Sequence, residues 1–196
     1  MAHIDYYFTT LSPFAYLAGD GLEKVAAKHG ATIAYKPVNF MRVMEEMGGL
    51  PVPKRHPSRQ SYRLQELPRI ARRNGLPINL PPAHWPTDPV PSLSAIIAAQ
   101  DAGGGDVGAL ARRFLAACWA EERDIANPVL VADALRESGF DPDALDLDAA
   151  AAKIEPLSDE AIERGVFGAP FYIVGDEKFW GQDRIAYLDD HLAGLG

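Results

Sequence analysis

The chain has one cysteine, Cys118. An internal disulfide and a paired-cysteine redox centre are therefore excluded. Cys118 sits in Phe114-Leu115-Ala116-Ala117-Cys118-Trp119, an apolar helical stretch in which a cysteine serves as a small core residue rather than a nucleophile. The five histidines (His3, His29, His56, His84, His191) have no metal-ligand spacing, and no metal site is expected. No apolar run is long enough to span a bilayer, so no membrane partner is expected. The opening Met1-Ala2-His3-Ile4-Asp5-Tyr6 lacks the basic and apolar regions of a signal peptide, which points to a cytoplasmic protein. Gly103-Gly104-Gly105 follows a helical pattern rather than a strand, so it is no phosphate loop. A basic excess is missing too: 19 Lys and Arg face 27 Asp and Glu, a net charge of −8, which argues against general nucleic-acid binding.

What is present is ordinary globular material: 196 residues, 47% apolar, enough to bury a core without staples. The charge reverses locally. Residues 54–73 hold Lys54, Arg55, Arg59, Arg63, Arg69, Arg72 and Arg73 against Glu66 alone. Most of such a run is a solvated helix face, but a small anion needs only one or two of these cations. Two proline-rich loops, 50–57 and 76–91, interrupt the chain, and loops of that length tend to be functional.

Patterning predicts a strand over Ile4–Phe8, a helix from Pro13 to about Lys28 and a strand from Thr32 to Val38, a β-α-β opening with a right-handed crossover. A helical stretch follows. It comprises Phe40–Met47; a helix from Ser58 to Asn74 with Tyr62, Leu64, Leu67, Ile70 and Ala71 on its apolar side and Pro68 inside it; a helix capped by Ser92; one from Asp106 to about Glu122; one starting at Asn127-Pro128; and a short one within 141–153. A helix capped by Ser158 leads to strands Phe171–Val174 and Lys178–Trp180 and to a last helix with Ile185, Leu188, Leu192 and Leu195 inward. The division expected is an α/β unit of residues 1–38 and 156–196 carrying a helical insertion over 39–155.

At the first strand-to-helix turn stands Ser12-Pro13. Pro13 suits the first helical position, which places Ser12 at the N-cap beside unpaired N–H groups and a partial positive charge. Read alone, Ser12 is a cap. Pro170, read alone, is a turn proline, and Asp183 is the N-cap of the last helix.

The order of strand, hydroxyl-bearing turn, helix, strand, helical insertion and a proline just before a strand resembles the thioredoxin-like fold with a large all-helical insertion. Leu11-Ser12-Pro13-Phe14-Ala15-Tyr16-Leu17 has serine where disulfide oxidoreductases of that fold carry a cysteine pair. Together with Gly165-Val166-Phe167-Gly168-Ala169-Pro170-Phe171 and Phe179-Trp180-Gly181-Gln182-Asp183-Arg184, it resembles the 2-hydroxychromene-2-carboxylate isomerases and the related kappa-class glutathione transferases. Pro51-Val52-Pro53-Lys54-Arg55-His56-Pro57 with Tyr62-Arg63-Leu64 is similar to that family's basic loop, although the asparagine often found near it is absent.

The resemblance implies glutathione as cofactor and Ser12 as the catalytic residue, donating to the glutathione sulfur and favouring thiolate. It implies a cis Pro170, with the Ala169 backbone pairing with the cysteinyl part of the peptide. Asp183 would hold the γ-glutamyl ammonium, and the N–H groups of Gln182, Asp183 and Arg184 its carboxylate, within the segment that also holds Trp180 and Gly181. Lys54 would take a glycyl or substrate carboxylate. Arg42 and Trp85 would face a small aromatic carboxylate substrate. The implied reaction interconverts a 2-hydroxychromene-2-carboxylate-like hemiketal and its trans-benzylidenepyruvate form, by reversible thiolate addition, in a homodimer. A kappa-like glutathione transferase and a non-catalytic thioredoxin-fold binding protein are the alternatives.

Overall fold

The structure, a computed structural model, describes residues 1–195. Strands β1 (His3–Phe8) and β2 (Thr32–Pro37) pair in parallel. Between them the chain forms α1 (Pro13–Leu17) and α2 (Gly21–His29). The single helix expected over this stretch is thus two, because Gly19 takes φ +62°, a left-handed conformation that favours glycine and stops α1. The helical stretch comprises α3 (Phe40–Glu46), a 3-10 turn at Val52–Lys54, α4 (Pro57–Asn74), α5 (Val90–Ala102), α6 (Val107–Trp119), α7 (Pro128–Glu137), a 3-10 turn at Pro142–Ala144, α8 (Leu147–Ala151) and α9 (Ile154–Glu163). Strands β3 (Phe171–Val174) and β4 (Glu177–Trp180) then run antiparallel, and α10 (Ile185–Ala193) follows. The sheet order is β2-β1-β3-β4, with β3 antiparallel to β1. This is a thioredoxin-like α/β fold.

Alternation along the central strands separates two cores. Ile4, Tyr6, Phe8, Tyr172 and Val174 face the larger one, with Leu22 and Val25 of α2, Leu110 and Phe114 of α6, and Leu188 and Leu192 of α10. Register places Tyr6 between Tyr35 and Tyr172, and the Tyr6 ring lies 5.8 Å and 5.2 Å from theirs. On the opposite face Tyr7, Phe171 and Ile173 pack against Val43 of α3, Ala161 of α9 and Val166.

Several local expectations give way to packing. Ser92 and Ser158 are not caps, because α5 begins at Val90 and α9 at Ile154, leaving both hydroxyls inside helices and buried. The Asp88 carboxylate takes the Val90 N–H instead (2.9 Å). Ser158 donates to the Ile154 carbonyl (2.7 Å) and accepts the Asn39 N–H (2.9 Å), tying α9 to the head of α3. Helix α4 runs through Pro68 and fully buries only Leu67 and Ala71, so Tyr62 and Leu64 lie exposed. Leu195 falls past the end of α10 and is exposed.

Beneath the sheet, the Asp5 carboxylate meets Lys36 (2.8 Å) and Arg164. Burial alone would raise the Asp5 pKa, but hydrogen bonds from Lys36 and Arg164 outweigh it and hold the pKa below the ordinary 3.8. A carboxyl whose folded pKa is lowered contributes stability that is complete above its unfolded value and lost as pH falls through the folded one. Urea unfolding should therefore show this contribution intact above about pH 5 and fading below about pH 4. Asp5→Asn should flatten that part of the acid slope, and an unchanged slope would refute the assignment.

Candidate active site

Ser12 lies in an extended conformation (φ −88°, ψ 114°) and is the N-cap of α1. Its N–H donates to the Thr9 carbonyl (3.0 Å), closing the turn after β1. Its Oγ accepts the Ala15 N–H (3.2 Å), and its hydroxyl donates to the Ala169 carbonyl (3.1 Å). Capping uses only the acceptor side of this hydroxyl; its proton reaches a residue 157 positions away.

Ala169–Pro170 is a cis peptide, placed just before β3. The Pro170 carbonyl accepts the Gly181 N–H (2.9 Å), which brings the segment after β4 to the same place. Ala169-Pro170 thus joins the Ser12 turn on one side to Gly181 on the other. Gly181 has φ +110°, a conformation open to glycine. Gly168 lies under the Trp180 indole, where a Cβ would collide with the ring. Trp180 is half exposed and meets Phe167 edge-on, with centroids 5.0 Å apart.

Asp183 does not cap α10. The N-cap is Arg184, without a side-chain cap bond, and the exposed Asp183 carboxylate accepts from the Arg184 guanidinium (2.6 Å). That guanidinium lies 5.6 Å from the Tyr187 ring centroid. Gln182 is partly buried beside them.

The cations sort sharply. Arg42 is held by Glu46 (3.2 Å), Glu155 (2.7 Å) and Asp159. Lys54 ends its 3-10 turn exposed, and among the described residues no carboxylate pairs with it. Arg55 and Arg63 are partly buried. Arg55 donates to the Leu50 carbonyl (2.7 Å), and the Arg63 guanidinium lies 5.8 Å from the ring centroid of Phe14, two residues past Ser12. Burial lowers the pKa of both, helped at Arg55 by Arg59 and at Arg63 by Arg55. Among the described residues neither meets a carboxylate at ion-pair distance. Partly desolvated, mutually repelling cations cost stability that a bound anion would offset. Sequence reasoning singled out Lys54 from this run and passed over Arg55 and Arg63. No local signal separates them, because Arg55 precedes α4 and Arg59, one turn before Arg63, is exposed.

Trp85 leans on Trp119, centroids 6.0 Å apart, and packs against the main core; its Nε1 is buried without a hydrogen-bond partner. Cys118 is buried, and burial first, then Asp124, push its thiol up to about 12. Among the described residues there is no cluster of three His, Cys, Asp or Glu that could hold a metal, and no helix long and apolar enough to cross a membrane.

The serine-bearing turn set beside a cis-proline at one end of a mixed sheet defines a thioredoxin-type protein, and residues 3–193 match the DSBA-like thioredoxin domain family. Within that class, the chain belongs to the 2-hydroxychromene-2-carboxylate isomerase family, a family of enzymes. It is 31% identical to the 2-hydroxychromene-2-carboxylate isomerase of Pseudomonas putida, over 98% of this chain and 95% of that one. It is 25% identical to a kappa glutathione S-transferase of Caenorhabditis elegans, over 97% and 91% of the two chains. A solved 2-hydroxychromene-2-carboxylate isomerase superposes with a TM-score of 0.76 at 28% identity, covering 98% of this chain and 95% of that one.

Proposed function

We propose that the protein is a glutathione-dependent isomerase interconverting a 2-hydroxychromene-2-carboxylate-like hemiketal and its trans-benzylidenepyruvate form. The observation that carries this reading is the Ser12 hydroxyl facing the Ala169 carbonyl ahead of a cis proline. It joins a proton donor and a main-chain acceptor in one place, and the protein's own thiol is buried. Bound glutathione supplies a thiolate that can add reversibly to a conjugated carbon.

The chain's residues bind and orient. In this reading the Ser12 proton turns from Ala169 to the sulfur, and the Ala169 main chain pairs with the peptide's cysteinyl part. Pro13 has no N–H and Ala15 spends its own on Ser12, which leaves the Phe14 N–H as the second donor at the helix start. Because α1 is five residues long, these local donors act rather than the field of a long helix. Asp183 receives the γ-glutamyl ammonium and the N–H groups of Gln182 and Asp183 its carboxylate, while Arg184, whose N–H goes to the Gly181 carbonyl (3.2 Å), shapes that end with Trp180 and Gly181. Lys54, Arg55 and Arg63 hold the remaining carboxylates and the negative charge that develops on the keto acid. Arg42, engaged by three carboxylates, acts from behind by fixing α3 to α9. Trp85, steadied by Trp119, walls the aromatic substrate in this reading.

The reading extends to a cytoplasmic homodimer working in aromatic hydrocarbon breakdown, with residues 1–38 and 156–196 as one domain and 39–155 as its insertion. A kappa-like transferase shares every binding element and differs in releasing the thioether; the lower identity to kappa relatives makes it the second reading. Thiolate absorbance of bound glutathione, titrated against pH, should give a thiol pKa below that of free glutathione. A bound value equal to or above the free one removes the claim.

A further inference from the structure

We propose that Ser92 is a positioning residue for Ser12, acting through Thr10; the catalytic part of this claim rests on the glutathione reading above. Thr10 and Ser92 are both fully buried, and their hydroxyl oxygens are 2.9 Å apart across 82 residues of sequence. The direction of the bond follows from proton counting. Ser92 has one hydroxyl proton and donates it to the Pro89 carbonyl (2.8 Å). The Thr10 proton therefore points to Ser92, giving a directed relay from Thr10 to Ser92 to Pro89.

Thr10 is the middle of the turn that presents Ser12. The Leu11 N–H rests on Thr9 Oγ1 (3.4 Å) and the Ser12 N–H on the Thr9 carbonyl (3.0 Å). The Thr10 hydroxyl ties the turn they form to helix α5. Ser12 Oγ has to meet the Ala15 N–H and the Ala169 carbonyl at once, so a small tilt of the turn spoils one of the two. Ser92 is a firm anchor because α5 packs against α6, α7, α8 and β2. It is available because the cap position it might have filled lies at Pro89, the residue before Val90. A buried hydroxyl pair adds little net stability over apolar side chains of the same shape, whereas removing one member strands the other. The pair thus provides direction, and the direction it sets is that of the Ser12 turn.

The test compares Ser92→Ala, the isosteric Thr10→Val, their double variant and Thr10→Ser. Two readouts are used: hydrogen exchange of the Ala15 amide in the free protein, and the thiolate-to-thiol ratio of bound glutathione at fixed pH. Ser92→Ala and Thr10→Val should each speed Ala15 exchange about tenfold and lower the thiolate ratio about tenfold, the double variant no more than either single, and Thr10→Ser should match the wild type. Wild-type exchange and thiolate ratio in both single variants, whatever happens to the melting temperature, would overturn the proposal. If Ser92→Ala fails to fold, Thr10→Val carries the test. If the wild type itself holds no thiolate, the glutathione reading falls, and Ala15 exchange alone decides whether Ser92 positions Ser12.

Discussion

Ser12→Ala should lower turnover by about a hundredfold or more, the usual cost of losing one preorganised donor at a developing negative charge. The same substitution removes the α1 cap, worth about 1 kcal/mol, which for a chain of this size shifts the melting temperature by only about 2–4 °C. The two effects differ enough in scale to be separated by assaying well below the melting transition. Loss of the hydroxyl also frees the Ala169 carbonyl, so glutathione should still dock, with its thiol protonated. The expected signature is therefore a fall in turnover and in thiolate absorbance with a modest change in glutathione affinity. Wild-type turnover and thiolate in Ser12→Ala would leave a capped helix and nothing more, and the non-catalytic binding protein would then be the better account.

Arg63→Met should weaken binding of the anionic ligand about 10- to 100-fold, the range expected for one or two charge-assisted hydrogen bonds. Methionine keeps an unbranched apolar stem against Phe14 and removes the charge. The ligand-free protein should lose no stability. A cation–π contact of about 0.5–1 kcal/mol disappears, but so do the desolvation of the guanidinium and its repulsion from Arg55. Opposite signs for binding and stability mark a charge kept for a ligand. The salt dependence of the Michaelis constant should also shrink in the variant. Unchanged affinity together with an unchanged salt slope would return Arg63 to the solvated face of α4.

Much of this site is legible in the amino-acid sequence, because its signals are local. Ser12-Pro13 reads as a helix start because a cap and a first-turn proline solve the same shortage of N–H partners within four residues. Ile4–Phe8 and Phe171–Val174 read as strands because β-forming and aromatic residues crowd into them. What the sequence does not reveal depends on distance. Arg42 looks free until α9, more than 110 residues on, brings Glu155 and Asp159 to it. Arg63 looks like one of seven surface cations until α4 packs beside α1 and half-buries it against Phe14. Ser92 looks like a cap until α5 begins two residues earlier and turns its hydroxyl inward.

By itself, then, the sequence determined the β-α-β opening, the serine in place of a redox pair, the proline before β3 and the excess of cations after residue 53, since each depends on neighbouring residues and backbone chemistry. Only the tertiary structure decided which cations stay without a carboxylate, where the Ser12 proton points and what holds the Ser12 turn. Burial, partner choice and hydroxyl direction are set by contacts between segments far apart in the chain, 159 residues for Asp5 and Arg164, and no local pattern encodes them.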